Sequence, residues 1–70
     1  MKYAVVYEKT PTNYSAYVPD LPGCVVTGAN REEVVRRIRE AIALHLEGLR
    51  SEGEPFPDPS AWTELVEASA

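Results

Sequence analysis

Apolar and polar residues alternate at the start of the chain. Tyr3, Val5 and Tyr7 are separated by Ala4 and Val6 and followed by Glu8. A period of two built from aromatic and β-branched residues predicts a strand. Lys9-Thr10-Pro11-Thr12-Asn13 breaks it with turn chemistry, because Pro11 has a fixed φ and no N–H and Asn13 tolerates unusual backbone angles. Tyr14 to Val18 predicts a second strand, antiparallel to the first because the connection is short. Pro19-Asp20-Leu21-Pro22-Gly23 interrupts again, and Cys24 to Thr27 predicts a short third strand closed by Gly28.

The period then changes. Val34, Ile38, Ala41, Ile42, His45 and Leu49 recur at helical spacing and form one stripe predicted to lie against the sheet. Asn30 is a suitable N-cap, with Glu33 three residues on as in a capping box. Glu32 with Arg36 and Glu33 with Arg37 stand four apart in the favourable order. Gly53 is placed to close the helix, and Gly48 lies inside it. Three alternating prolines, Pro55, Pro57 and Pro59, make a stiff crossover. Trp62 to Val66 has the composition of a last strand, with a short helix as the competing assignment. The predicted architecture is α+β, a β-β-β-α-β single domain over residues 1–70 with one helix on one face of an antiparallel-rich sheet.

Seventy residues leave a marginal core, so burial shared with a second chain is expected. The sheet face without a helix is expected to carry some of Tyr3, Val5, Tyr7, Tyr14 and Tyr17, and with an open edge this predicts a homodimer or higher homo-oligomer. The net charge is −4, and its distribution is uneven. Residues 30–50 interleave five arginines with four glutamates, whereas residues 51–70 hold Glu52, Glu54, Asp58, Glu64 and Glu67 and no base. The arginines read as an ion-paired, solvated helix face rather than a nucleic-acid site. A single cysteine excludes an internal disulfide and a cysteine-based zinc cluster, which with no signal-peptide or membrane pattern predicts a cytoplasmic protein.

Chemistry is sparse. Cys24 and His45 are the only possible nucleophile–base pair, and each reads better as a packing residue. Glu33, Glu40 and Glu47 read as a solvated face, not a metal site. No converging acid set or phosphate-binding glycine loop is present. The expectation is no catalytic residue, no cofactor and no metal.

One run is more specific. Tyr17-Val18-Pro19-Asp20-Leu21-Pro22-Gly23-Cys24, then Thr27-Gly28, Glu32-Glu33 and Ala41-Ile42, and later Gly53-Glu54-Pro55-Phe56-Pro57-Asp58-Pro59, resembles the HicB-like antitoxin family from Tyr3 to Val66. The resemblance implies that family's N-terminal domain, a partial ribonuclease H fold without the acidic site. It also implies a HicA-like partner, a small basic mRNA-cleaving toxin that the antitoxin masks. The prolines, Gly23 and Asp20 in this run have structural uses, with Asp20 expected to bond back to nearby N–H groups. Many members carry a further DNA-binding domain, and a chain ending at Ala70 is expected to make no direct DNA contact. The acidic segment is the expected partner surface, with Glu52, Glu54 and Asp58 complementary to a basic toxin and Phe56 or Trp62 as the anchor. The alternative is a stand-alone oligomeric ligand- or protein-binding module that has lost its toxin.

Overall fold

A computed structural model describes residues 1–69. Three strands, β1 (Val6–Lys9), β2 (Tyr14–Tyr17) and β3 (Val25–Gly28), form an antiparallel sheet in that order, and one helix, α1 (Arg31–Ser51), follows. The fold is α+β. The register places Tyr7 opposite Ala16 and Ala16 opposite Val26 on the helix side, and aligns Val6, Tyr17 and Val25 across the other face.

β1 is shorter than its alternating pattern. Continuing its register sets Ala4 opposite Pro19, which has no N–H and begins the next turn, so the ladder stops at Val6. Tyr3 and Val5 lie beyond the ladder but still pack against the core. Tyr14 does the same, so these three belong to the covered face. Tyr17, Val6 and Val25 form the apolar row of the uncovered one.

The helix starts and stops where its caps predict. Asn30 Oδ1 accepts the Glu33 N–H at 2.8 Å. Glu33 reaches back to the Ala29 N–H, one residue before the position a capping box uses. At the far end Glu54 N–H bonds to Leu49 C=O at 2.9 Å and Gly53 N–H to Arg50 C=O at 3.1 Å, with Gly53 at φ 72°. This is a Schellman closure, for which glycine carries no steric penalty. Glu33 pairs with Arg37 at 2.8 Å as expected, but Arg36 pairs with Glu40 and not with Glu32.

The core is Ala16, Val18, Leu21, Cys24, Val34 and Ile38. Leu21 enters it from the loop. Bonds from Leu21 N–H to Val18 C=O and from Cys24 N–H to Leu21 C=O fold Pro19–Gly23 back on itself, with Gly23 at φ 83°. Val34 and Ile38 are fully buried, whereas Ala41 and Ile42 are half-buried. Leu49 stays outside the core, and Val35 and Leu46 pack there instead. The reason is length: 21 helical residues rise about 31 Å, and a four-residue strand spans only about 13 Å. The last helical turns therefore run past the sheet. Gly28 sets the contact distance at the other end, since a Cβ there would meet the Val34 backbone nitrogen at 2.9 Å.

The expected strand at Trp62–Val66 is not formed, and neither is the competing helix, because residues 54–69 carry no regular secondary structure. A strand needs a neighbouring backbone to bond with, and among the described residues this segment makes no backbone–backbone bond.

Candidate functional site

The candidate surface is the chain after α1, residues 52–69, and it is held at two points. Tyr3 Oη donates to the Pro57 carbonyl. Asp20 takes three bonds: Oδ2 accepts from Ser60 N–H at 3.0 Å and Ala61 N–H at 3.1 Å, and Oδ1 accepts from the Ser60 hydroxyl at 2.8 Å. Asp20 thus bonds to residues forty positions away and not to its own turn. These bonds, led by that from Ala61, hold its carboxyl below the usual aspartate range. Desolvation, reinforced by Asp20 and Asp58, pushes the Tyr3 phenol up.

Glu52 and Glu54 stand before the first of these anchors and Asp58 between the two, all exposed. Glu52 is the helix C-cap and Glu54 follows two residues later. Negative charge at the negative end of a helix dipole is unfavourable, so these glutamates do nothing for the helix. Phe56 is half-buried and lines a groove with Met1, Tyr3, Ile42 and Leu46. Phe56 therefore lies where the stiff segment meets the domain. Trp62 is 82% exposed and lies beyond Ala61, on the far side of the Asp20 clamp from the acids. Glu52, Glu54, Asp58 and Trp62 are thus all exposed, and Phe56 alone of the five is half-buried.

Cys24 lies in the core, where burial pushes its thiol up and away from the reactive thiolate. His45 is half-buried on the helix, and no hydrogen bond joins it to Cys24 among the described residues. No three metal-ligating side chains converge among the described residues, and no described helix is long and apolar enough to cross a membrane. The residues sequence reasoning missed are Tyr3, Ser60 and Ala61 as fasteners of the acidic segment. Asp20 between two prolines was the one visible signal, and nothing in its surroundings named its partners.

Residues 3–70 match the family described as HicB_like antitoxin of bacterial toxin-antitoxin system. A UPF0150 protein of Thermoplasma acidophilum is 37% identical over 62 residues, covering 87% of this chain and 90% of its own. A UPF0150 protein of Helicobacter pylori is 47% identical over 51 residues, 73% of this chain and 71% of that one. An uncharacterized 14.9 kDa protein of Haemophilus phage HP1 is 37% identical over 57 residues, 81% of this chain, and the match spans only 43% of the phage protein. Among solved structures, a chain of a HicA3 and HicB3 toxin-antitoxin complex superposes with a TM-score of 0.70 at 34% identity, over 84% of this chain and 69% of that one.

Proposed function

Because the chain belongs to the family of HicB-like antitoxins, we propose that it is the antitoxin of a toxin–antitoxin pair and masks a small, basic, HicA-like mRNA-cleaving toxin. The observation that carries this reading is its likeness, in fold and sequence together, to a chain from a HicA3 and HicB3 complex. A protein that grips RNA needs a basic surface. Glu52, Glu54 and Asp58 offer an acidic one on a segment stiffened by Pro55, Pro57 and Pro59 and fastened through Phe56 and Tyr3. A surface ordered before binding loses little entropy on docking. The placement of Glu52 and Glu54 against the helix dipole supports a use for them outside the helix.

The chain acts here as a binder and not as an enzyme, in the cytoplasm where its partner meets mRNA. Buried Cys24 and unpaired His45 support the first part of that reading. It also acts without touching DNA: the chain is acidic overall, and Arg36, Arg37 and Arg50 are tied to neighbouring glutamates.

The test is co-expression with the product of the adjacent gene. The wild type restores growth, and the triple variant Glu52→Lys, Glu54→Lys, Asp58→Lys fails to, with toxin affinity down roughly hundredfold and an unchanged circular dichroism spectrum. A neighbour that is not toxic overturns the antitoxin reading. Intact rescue by the triple variant removes the acidic segment as the docking surface.

A further inference from the structure

α1 does not cover the whole sheet. It packs on β3 and β2, and its backbone does not approach β1. Gly28 contributes to this, because a residue without a Cβ lets the Val34 backbone settle close on β3, the strand farthest from β1. A groove with a volume of about 310 Å³ is left between the helix side of β1 and the first turn of α1. Tyr7, Lys9 and Tyr14 line it from the sheet, and Arg31, Val34 and Val35 from the helix. Small-ligand sites begin at about 300 Å³.

The register decides what the groove presents. Lys9 stands opposite Tyr14 and Tyr7 opposite Ala16, all four on the helix side. Ala16 is too small to fill the space beside the Tyr7 ring, which is 46% exposed. Tyr3 donates its hydroxyl to Pro57, but the hydroxyls of Tyr7 and Tyr14 have no hydrogen-bond partner among the described residues. Glu8 also borders the groove, yet alternation sends its side chain to the other face, where it stands opposite Ser15. Arg36, Arg37 and Arg50 are each tied to a glutamate. Lys2, Lys9, Arg31 and Arg39 make no ion pair among the described residues, and of these Lys9 and Arg31 meet at the groove.

We propose that this groove binds a small planar aromatic anion, of which a free nucleoside monophosphate is the representative. The ring stacks on Tyr7 beside Val35, the Tyr14 hydroxyl meets its polar edge, and the anionic group is held between Lys9 and Arg31. Charge complementarity selects the anion, since two cations without partners line the same groove in a chain of net charge −4. The aromatic faces select the ring, because an aliphatic anion gains no stacking and leaves both tyrosine hydroxyls unpaired. Size selects a monomer. A phosphate chain running past the groove would meet an acidic molecule with only two free cations at that place. The proposal stands apart from the toxin reading, for Arg31 opens α1 and Glu52 caps its other end, about 31 Å away.

Amide NMR of the full chain tests it, with adenosine monophosphate, adenosine, inorganic phosphate, octanoate and a single-stranded RNA as the probes. Adenosine monophosphate is expected to shift Tyr7, Lys9, Tyr14, Arg31 and Val35 with a dissociation constant below about 1 mM. Adenosine or phosphate alone should bind about tenfold more weakly, since each lacks half of the contacts. Lys9→Gln with Arg31→Gln changes two exposed side chains, so the variant keeps its helical circular dichroism and urea midpoint. It should bind the monophosphate about tenfold more weakly or worse. Tyr7→Leu keeps both cations and should lose affinity through stacking alone. No shift at millimolar ligand overturns the proposal, as does binding that the double variant leaves intact. Phosphate binding as tightly as the monophosphate means an adventitious ion only and overturns it. Tighter binding of octanoate makes the groove an aliphatic site, and tighter binding of the RNA makes it part of a polymer surface; either result overturns it too.

Discussion

At Asp20 a single carboxylate joins the loop between β2 and β3 to the chain that follows the helix. Three donors converge on it, two of them backbone N–H groups, and each favours the charged form. A carboxyl held below its unfolded value contributes stability that is present above that value and lost as pH falls through the folded one. The clamp should therefore survive through the ordinary aspartate range near about pH 3.9 and release only in stronger acid. In an NMR titration the Ser60 and Ala61 amide shifts should move together with a midpoint below that range. Asp20→Asn should abolish the transition and speed amide exchange at both positions at neutral pH, with little change at α1. A midpoint at the ordinary value, or an unchanged exchange rate in the variant, would contradict the clamp.

Among the elements, α1 contains a residue whose use the structure decides. Gly48 sits in the penultimate turn, and no atom lies within 4 Å of the place a Cβ would occupy. The backbone there approaches nothing, so the glycine brings only its helix penalty. Gly48→Ala should stabilise the domain by about 1 kcal/mol, read as a higher urea midpoint with an unchanged slope. Gly28 and Gly53 differ for separate reasons. The first touches the Val34 backbone, and the second holds a positive φ in the helix closure. The same helix shows why its stripe fades. Val34 and Ile38 are sealed, and Ile42, Leu46 and Leu49 are half-buried, with Leu49 no longer packed against the core.

For the molecule as a whole, stability rests on few residues. Six buried side chains form the core, and a chain of this size has only about 4–10 kcal/mol in total. Ile38 is fully buried beside Val34 in the core that the helix shares with the sheet, so Ile38→Ala should cost about 2–5 kcal/mol and leave a measurable fraction unfolded without denaturant. A loss under about 1 kcal/mol would show that the site collapses around the gap. Against so small a core, uncovered surface weighs more. The Val6, Tyr17 and Val25 row, the groove under β1 and the Trp62–Val66 segment all leave apolar side chains uncovered. An assembly that covers them changes the stability of the domain as well as its function.

Local chemistry alone accounts for a good part of this protein. The three strands, the turn residues between them, the Asn30 cap and the Gly53 closure all depend on neighbours within four or five positions, and interactions of that range are written in consecutive residues. The acid excess after α1 is legible in the same way, and so is the run from Tyr17 to Cys24 that marks the family. Other features depend on distances that no pattern encodes. Whether Leu49 is buried follows from how far a 21-residue helix outruns its strands. Which face Tyr3, Val5 and Tyr14 join follows from the register with β2, and that register ends where Pro19 can no longer donate. Asp20 meets Ser60 and Ala61 only because the crossover carries them back to the loop between β2 and β3. Trp62 to Val66 has a strand's composition but forms none here, because a strand is a relation between two backbones and no backbone group of this segment is bonded to another.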